Sequence, residues 1–234
     1  MPAATAARRT RRLPWLLIAL VAFVAVVFGS HLLTQVLFGA PPPPASLLLP
    51  GVLQLALTLV LYRFVRRRTT AVGAFRPGEA PSLTREALVG LAVVSGFAAL
   101  QLLVVIPATG GAARADVVAN LAQLDGTAAG LAGFLGLAVL GALAEEVFVR
   151  GMFLRGVEAV AGGGAVGTAV AVALTTVLFA LGHGYQGWAG IVDTGLFGGL
   201  GLSLLYVWRR SLVAPMIAHA GWNLAAGLWL WSLT

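Results

Sequence analysis

The chain has 234 residues, of which 59% are hydrophobic and 10% charged, with a formal net charge of +7 and a mean hydropathy of +0.95. Soluble domains carry about a quarter charged residues, so this composition excludes a soluble globule, a disordered chain, a collagen and a soluble nucleic-acid binder. The absence of cysteine removes disulfides, thiolate metal sites and a cysteine nucleophile. An all-α, polytopic membrane helix bundle is what remains.

Crossing a bilayer takes about 20 mostly apolar residues, and seven stretches provide them: 13–38, 46–65, 86–106, 128–148 with a continuation past Arg155, 165–183, 188–208 and 212–233. The prolines at 41–44 separate the first two, because proline lacks the N–H a helix needs, and three glycines at 162–164 separate the fourth from the fifth. The organisation predicted is a basic cytoplasmic N-terminus (1–12), three N-terminal transmembrane helices (13–106) and a four-helix core (128–233). The first apolar stretch outruns the 7–15 residues of a signal peptide, so it is expected to stay as an anchor. Residues 115–124 are mildly amphipathic and are expected on the outer interface.

All fifteen basic residues are arginine. With the N-terminus inside, Arg8, Arg9, Arg11, Arg12, Arg63, Arg66, Arg67, Arg68, Arg76, Arg85, Arg150, Arg155, Arg209 and Arg210 fall on the cytoplasmic side and Arg114 alone outside, as the positive-inside rule demands. Tyr62, Tyr206 and Trp208 near inner helix ends, with Trp188, Trp229 and Trp231 near outer ends, fit an aromatic belt. Exclusive use of Arg with abundant Ala and Gly points to a GC-rich, bacterial genome and a multi-pass plasma-membrane protein.

An ionised group at the bilayer centre costs about 2.5–3.5 kcal/mol on insertion scales, so the polar residues inside these spans call for a reason. Glu146 and Arg150 stand at i, i+4 in the favourable acid-before-base order. Glu145 lies about 100° round the helix, free to face a cavity while Glu146 is neutralised locally. Such a division suits one structural acid and one general base. Phe179 and His183 share a helix face, with Gly182 and Gly184 leaving room beside the ring; His219 and Asn223 are again i, i+4. A His–Asn pair of this kind binds a metal, orients a water or stabilises an oxyanion, or else only bonds helix to helix.

The three groups together carry more than each alone. The chain reads EEVFVR at 145–150, FALGH at 179–183 and HAGWN at 219–223, and over about 128–233 it resembles the CPBP family of CAAX-type prenyl-protein endopeptidases and bacteriocin-processing intramembrane proteases. The resemblance implies an endopeptidase that hydrolyses peptide bonds of a membrane-embedded or membrane-anchored substrate, reached from the bilayer or cytoplasmic side. Glu145 would activate the attacking water, His183 would help hold it, His219 and Asn223 would stabilise the oxyanion, and Glu146, Arg150 and Phe179 would support them. The family is described both as metalloproteases and as metal-independent glutamate proteases: Zn2+ held by Glu145, His183 and His219 is one expectation and a metal-free site the other. A prenylated CAAX tail, a leader peptide and a membrane regulator fit equally as substrates, a bacterial source weighing against the first.

Other readings are weaker. Asp193-Thr194-Gly195 lacks the second aspartate an aspartic protease shares a proton with, and Asp193 is expected to bond within the bundle. Ser203 lacks the following glycine of a rhomboid motif, no HExxH exists, and His31 has no partner within helical reach. The alternatives from other classes are a non-catalytic membrane scaffold or immunity protein and a small-solute transporter with Glu145 and His183 as proton relay, although internal repeats, usual in transporters, are missing. Helix positions put His183 and His219 out of level by roughly 16 Å. A displaced fifth helix beginning near Val170 is expected to remove the offset.

Overall fold

The computed structural model describes residues 13–69, 72–73 and 82–234; the 1–12 segment with Arg8, Arg9, Arg11 and Arg12, and Arg76, lie outside the described residues. Among the described residues every regular element is helical. Helix α1 spans Leu13–Phe38, and a short turn at Pro44–Leu47 leads into α2, Leu48–Arg68. Helix α3, Leu83–Ala108, starts at Ser82, whose Oγ accepts the Arg85 N–H at 3.4 Å. The short α4, Ala115–Leu121, precedes α5, Ala128–Ala161, where the Thr127 hydroxyl accepts the Gly130 N–H at 2.9 Å and satisfies one orphan donor of the first turn. Gly162, in the left-handed region at φ 100°, stops α5 and turns the chain into α6, Gly164–Gly182. Helices α7, Gly184–Arg209, and α8, Val213–Trp231, complete the bundle.

Among the described residues six helices are long and apolar enough to cross a membrane: α1, α2 with its leading turn, α3, α5, α6 and α7. The seventh expected span, α8, has the length at 19 residues, but His219 and Asn223 dilute its apolar character. Helix α5 is the axis of the molecule, packed between α2 and α8, with α3 beyond α8 and α1 beyond α2. Its contact with α2 is backbone on backbone: a Cβ on Gly51 would stand 2.7 Å from the Gly136 carbonyl oxygen. Small residues allow such approach where lipid supplies no hydrophobic drive between helices.

Several sequence expectations are corrected here. Residues 115–121 form a short helix whose Val117 packs against Ile106, Phe134 and Leu230. Tyr206, assigned to the aromatic belt, is fully buried and donates to the Gly73 carbonyl at 3.3 Å. Arg150 and Arg114, counted as loop charges, are buried inside the protein. Arg114 pairs with Asp116 at 2.8 Å and with Asp193, which raises its pKa, chiefly through the Asp116 hydrogen bond, and gives Asp193 the bundle contact expected of it. Helix α6 begins at Gly164 rather than near Val170. The offset closes at the other end, because α8 starts below the surface, at fully buried Ser211 and nearly buried Leu212; seven residues into it, His219 already reaches the level of Phe179.

Candidate active site

Glu145 and Glu146 sit in α5 just before its regular turns widen into a π-helical stretch, Val149–Leu154. Alpha-helical spacing up to Phe148 puts the two carboxylates on different faces. Glu146 is fully buried: its Oε1 accepts from Arg150 Nη1 at 2.7 Å and from His219 Nδ1 at 2.9 Å. Arg150, also fully buried, lays its guanidinium over the Phe179 ring, 5.2 Å from the centroid. Its Nη2 donates to the carbonyls of Gly198 and, at 3.3 Å, Gly199. Those carbonyls lie in a second π-helical stretch, Thr194–Gly201, of the kind that recurs at functional sites.

A cavity of about 690 Å³ opens beside this charged layer. Glu145 faces it with about 30% of its side chain exposed, its Oε2 3.8 Å from His219 Nε2. The Glu146 contact fixes His219 from behind: a carboxylate acceptor calls for a proton on Nδ1 and leaves Nε2 toward Glu145, the orienting role such partners play for histidine. His183, at the C-terminal end of α6, donates from Nδ1 to the Phe179 carbonyl at 2.9 Å, which leaves Nε2 as its remaining polar atom. Asn223 lines the same cavity and donates one amide hydrogen to the Ala138 carbonyl at 2.8 Å; a second is left over. Phe179 holds the group together: His183 stacks on it at 4.7 Å and His219 meets it edge-on at 5.7 Å. Gly198 is required beside it, since a Cβ there would run into the Phe179 ring.

All seven predicted site residues are thus brought to one locus, Glu145, His183, His219, Asn223 and Phe179 on the cavity wall and Glu146 with Arg150 beneath it. Among the described residues no three His, Cys, Asp or Glu groups gather as a metal position, while the committed Nδ1 atoms leave both Nε2 atoms free, an arrangement that suits a held water and a metal alike. Sequence reasoning missed the Gly198 and Gly199 carbonyls, whose only trace was a glycine cluster read as helix packing. It also missed that spans without a motif supply wall residues, His31 from α1, Gln54 from α2 and Gln101 from α3.

Residues 127–225 match the protein family described as Rce1-like, type II CAAX prenyl endopeptidases. All three motifs fall inside that stretch. The likeness to that family is thus carried by this segment. No curated protein and no solved structure matches the chain. The matched segment comprises α5 through most of α8, nearly the stretch on which the motif resemblance rests, and with six apolar spans among the described residues the chain is an integral membrane protein similar over this segment to a membrane endopeptidase family. Helices α1–α3 lie outside the matched segment but close the cavity.

Proposed function

We propose that the protein is an intramembrane endopeptidase that hydrolyses a peptide bond of a membrane-associated substrate with Glu145 as the general base. The observation that carries this reading is the 3.8 Å gap between Glu145 Oε2 and His219 Nε2 on a cavity wall. One water within about 2.8 Å of both atoms fits there. Glu145 takes one of its protons as the oxygen attacks the substrate carbonyl, and His219, steadied by Glu146, aligns the water. The spare amide hydrogen of Asn223 stabilises the oxyanion. When the C–N bond breaks, Glu145 returns its proton to the leaving nitrogen, and His183 Nε2 supplies a further polar partner on the substrate side. Arg150 pairs with Glu146 and ties α5 to α7 through the Gly198 and Gly199 carbonyls. These steps use no Zn2+, and the chelation experiment below tests that choice.

Proteomics of membrane fractions from cells expressing wild type, Glu145→Ala or His219→Ala tests the proposal. Cleavage products present with wild type and absent with both variants are expected. Identical product sets from three folded proteins overturn it. Metal analysis of the purified protein, with activity measured before and after chelation, tests the metal-free mechanism, which fails if chelation abolishes turnover and Zn2+ restores it.

A further inference from the structure

The cavity and the arginines occupy opposite ends of the bundle. Arg66, Arg67 and Arg68 end α2, Arg155 stands past the middle of α5, and Arg209 and Arg210 close α7; Thr84 and Arg85 open α3 at the same end. None of these lines the cavity. Its walls come instead from α1 between Leu20 and His31, α5 between Phe134 and Val149, the last halves of α3 and α6, the first part of α7, α8 from His219 onward, and α4, with Val117, Asn120, Gln123, Trp229 and Leu230 among the lining residues. Toward the arginine end it stops at fully or nearly fully buried Phe148, Arg150 and Met152, so that layer is a floor and not a passage.

The mouth faces sideways as well as outward. Helices α1 and α6 both line the cavity and meet near its floor, where Ala19 and Phe23 share a buried cluster with Phe179. Beyond that cluster, Val24 and Phe28 on α1, Gly182 at the end of α6 and Tyr185 just after it are all exposed and all line the cavity. Exposed apolar side chains at such a mouth are solvated by acyl chains, so a lipid-anchored segment reaches Glu145 without crossing water. Once inside, a peptide must be unwound before its carbonyl can be attacked, and an unwound backbone in lipid needs partners for its N–H and C=O groups. His31, Gln54, Gln101 and Asn120 line the wall as such partners.

We propose that the substrate is the non-cytoplasmic stretch of a membrane-anchored peptide, admitted from the outer leaflet between α1 and α6, and not a cytoplasmic tail. The arginine-rich end marks the cytoplasm, and the site opens away from it, which also reverses the cytoplasmic access suggested by the motifs. The chemistry rests on the endopeptidase reading; the sidedness does not, and the test separates them.

The chain has no cysteine, so single thiols report without background. Ala112→Cys, in the exposed turn before α4, Gln123→Cys on the cavity wall and Thr84→Cys at the start of α3 are each expressed in bacterial cells and treated with a membrane-impermeant maleimide. Ala112→Cys and Gln123→Cys are expected to label in intact spheroplasts, and Thr84→Cys only after permeabilisation; the reverse pattern overturns the proposal. Single-span reporters carrying a cleavable stretch at the outer or the inner interface are then co-expressed. Cleavage of the outer reporter alone, lost in Glu145→Gln, is expected, and cleavage confined to the inner one overturns the proposal despite the labelling. If neither reporter nor any membrane protein is cut, the endopeptidase reading fails, while the thiol pattern still decides which way the cavity faces.

Discussion

Replacing Arg150 with Met strands a carboxylate in the least accessible layer of the bundle. Arg150 and Glu146 are both fully buried and 2.7 Å apart, and the guanidinium also serves the Gly198 and Gly199 carbonyls. Those two interhelical bonds count for about 0.6 kcal/mol each on the membrane average. The unpaired charge left behind outweighs them: breaking a buried pair from one side costs about 3–5 kcal/mol. Glu146→Gln alone strands the guanidinium and weakens the hold on His219 Nδ1. With both changes made, no charge is stranded, so the double variant is expected to lose at least about 1 kcal/mol less than the two single losses combined. Denaturant unfolding of purified protein in mixed micelles, followed by the six tryptophans, measures all four corners of the cycle. Additivity within about 0.5 kcal/mol would refute a direct Glu146–Arg150 interaction in the folded state.

Glu145→Gln leaves the fold intact, since this side chain is partly exposed to the cavity, and is expected to lower turnover about 10²–10⁴-fold with an unchanged melting temperature; matched losses of both would argue for a structural role. Asn223→Ala removes one bond to Ala138, worth about 1 kcal/mol of stability, but is expected to cut kcat about 10²-fold with little change in KM. Gly199→Ala places a methyl 2.8 Å from Thr176 Cα, a backbone atom that cannot yield. Separating α6 from α7 in this way is expected to cost about 1–3 kcal/mol in the same unfolding assay.

Much of the site was legible because each motif repeats at helical spacing. Glu146 with Arg150 and His219 with Asn223 each fix a helix face, and Glu145 is forced off the Glu146 face by the 100° step alone. Depth was harder to read. Counting residues from an assumed membrane surface put His219 too near its end of the bundle, because nothing in the sequence says that Ser211 and Leu212, where α8 begins, are buried. The arginine count was misled at Arg150 and Arg114 for a related reason: a charge marks topology only when water reaches it, and these two are neutralised by carboxylates on or near their own segment. Tyr206 followed the same pattern, its hydroxyl going to the Gly73 carbonyl instead of the headgroup region. The π-helical stretches left no signal beyond their glycines.

The i, i+4 placement of Glu146 and Arg150 also bears on biogenesis. Helix α5 is synthesised before α7, so the Gly198 and Gly199 carbonyls do not yet exist when the guanidinium leaves the ribosome. A counter-ion one turn back in the same segment lets that segment partition from the translocation channel into lipid as a neutral unit, and the later helix then finds a donor already waiting for its carbonyls.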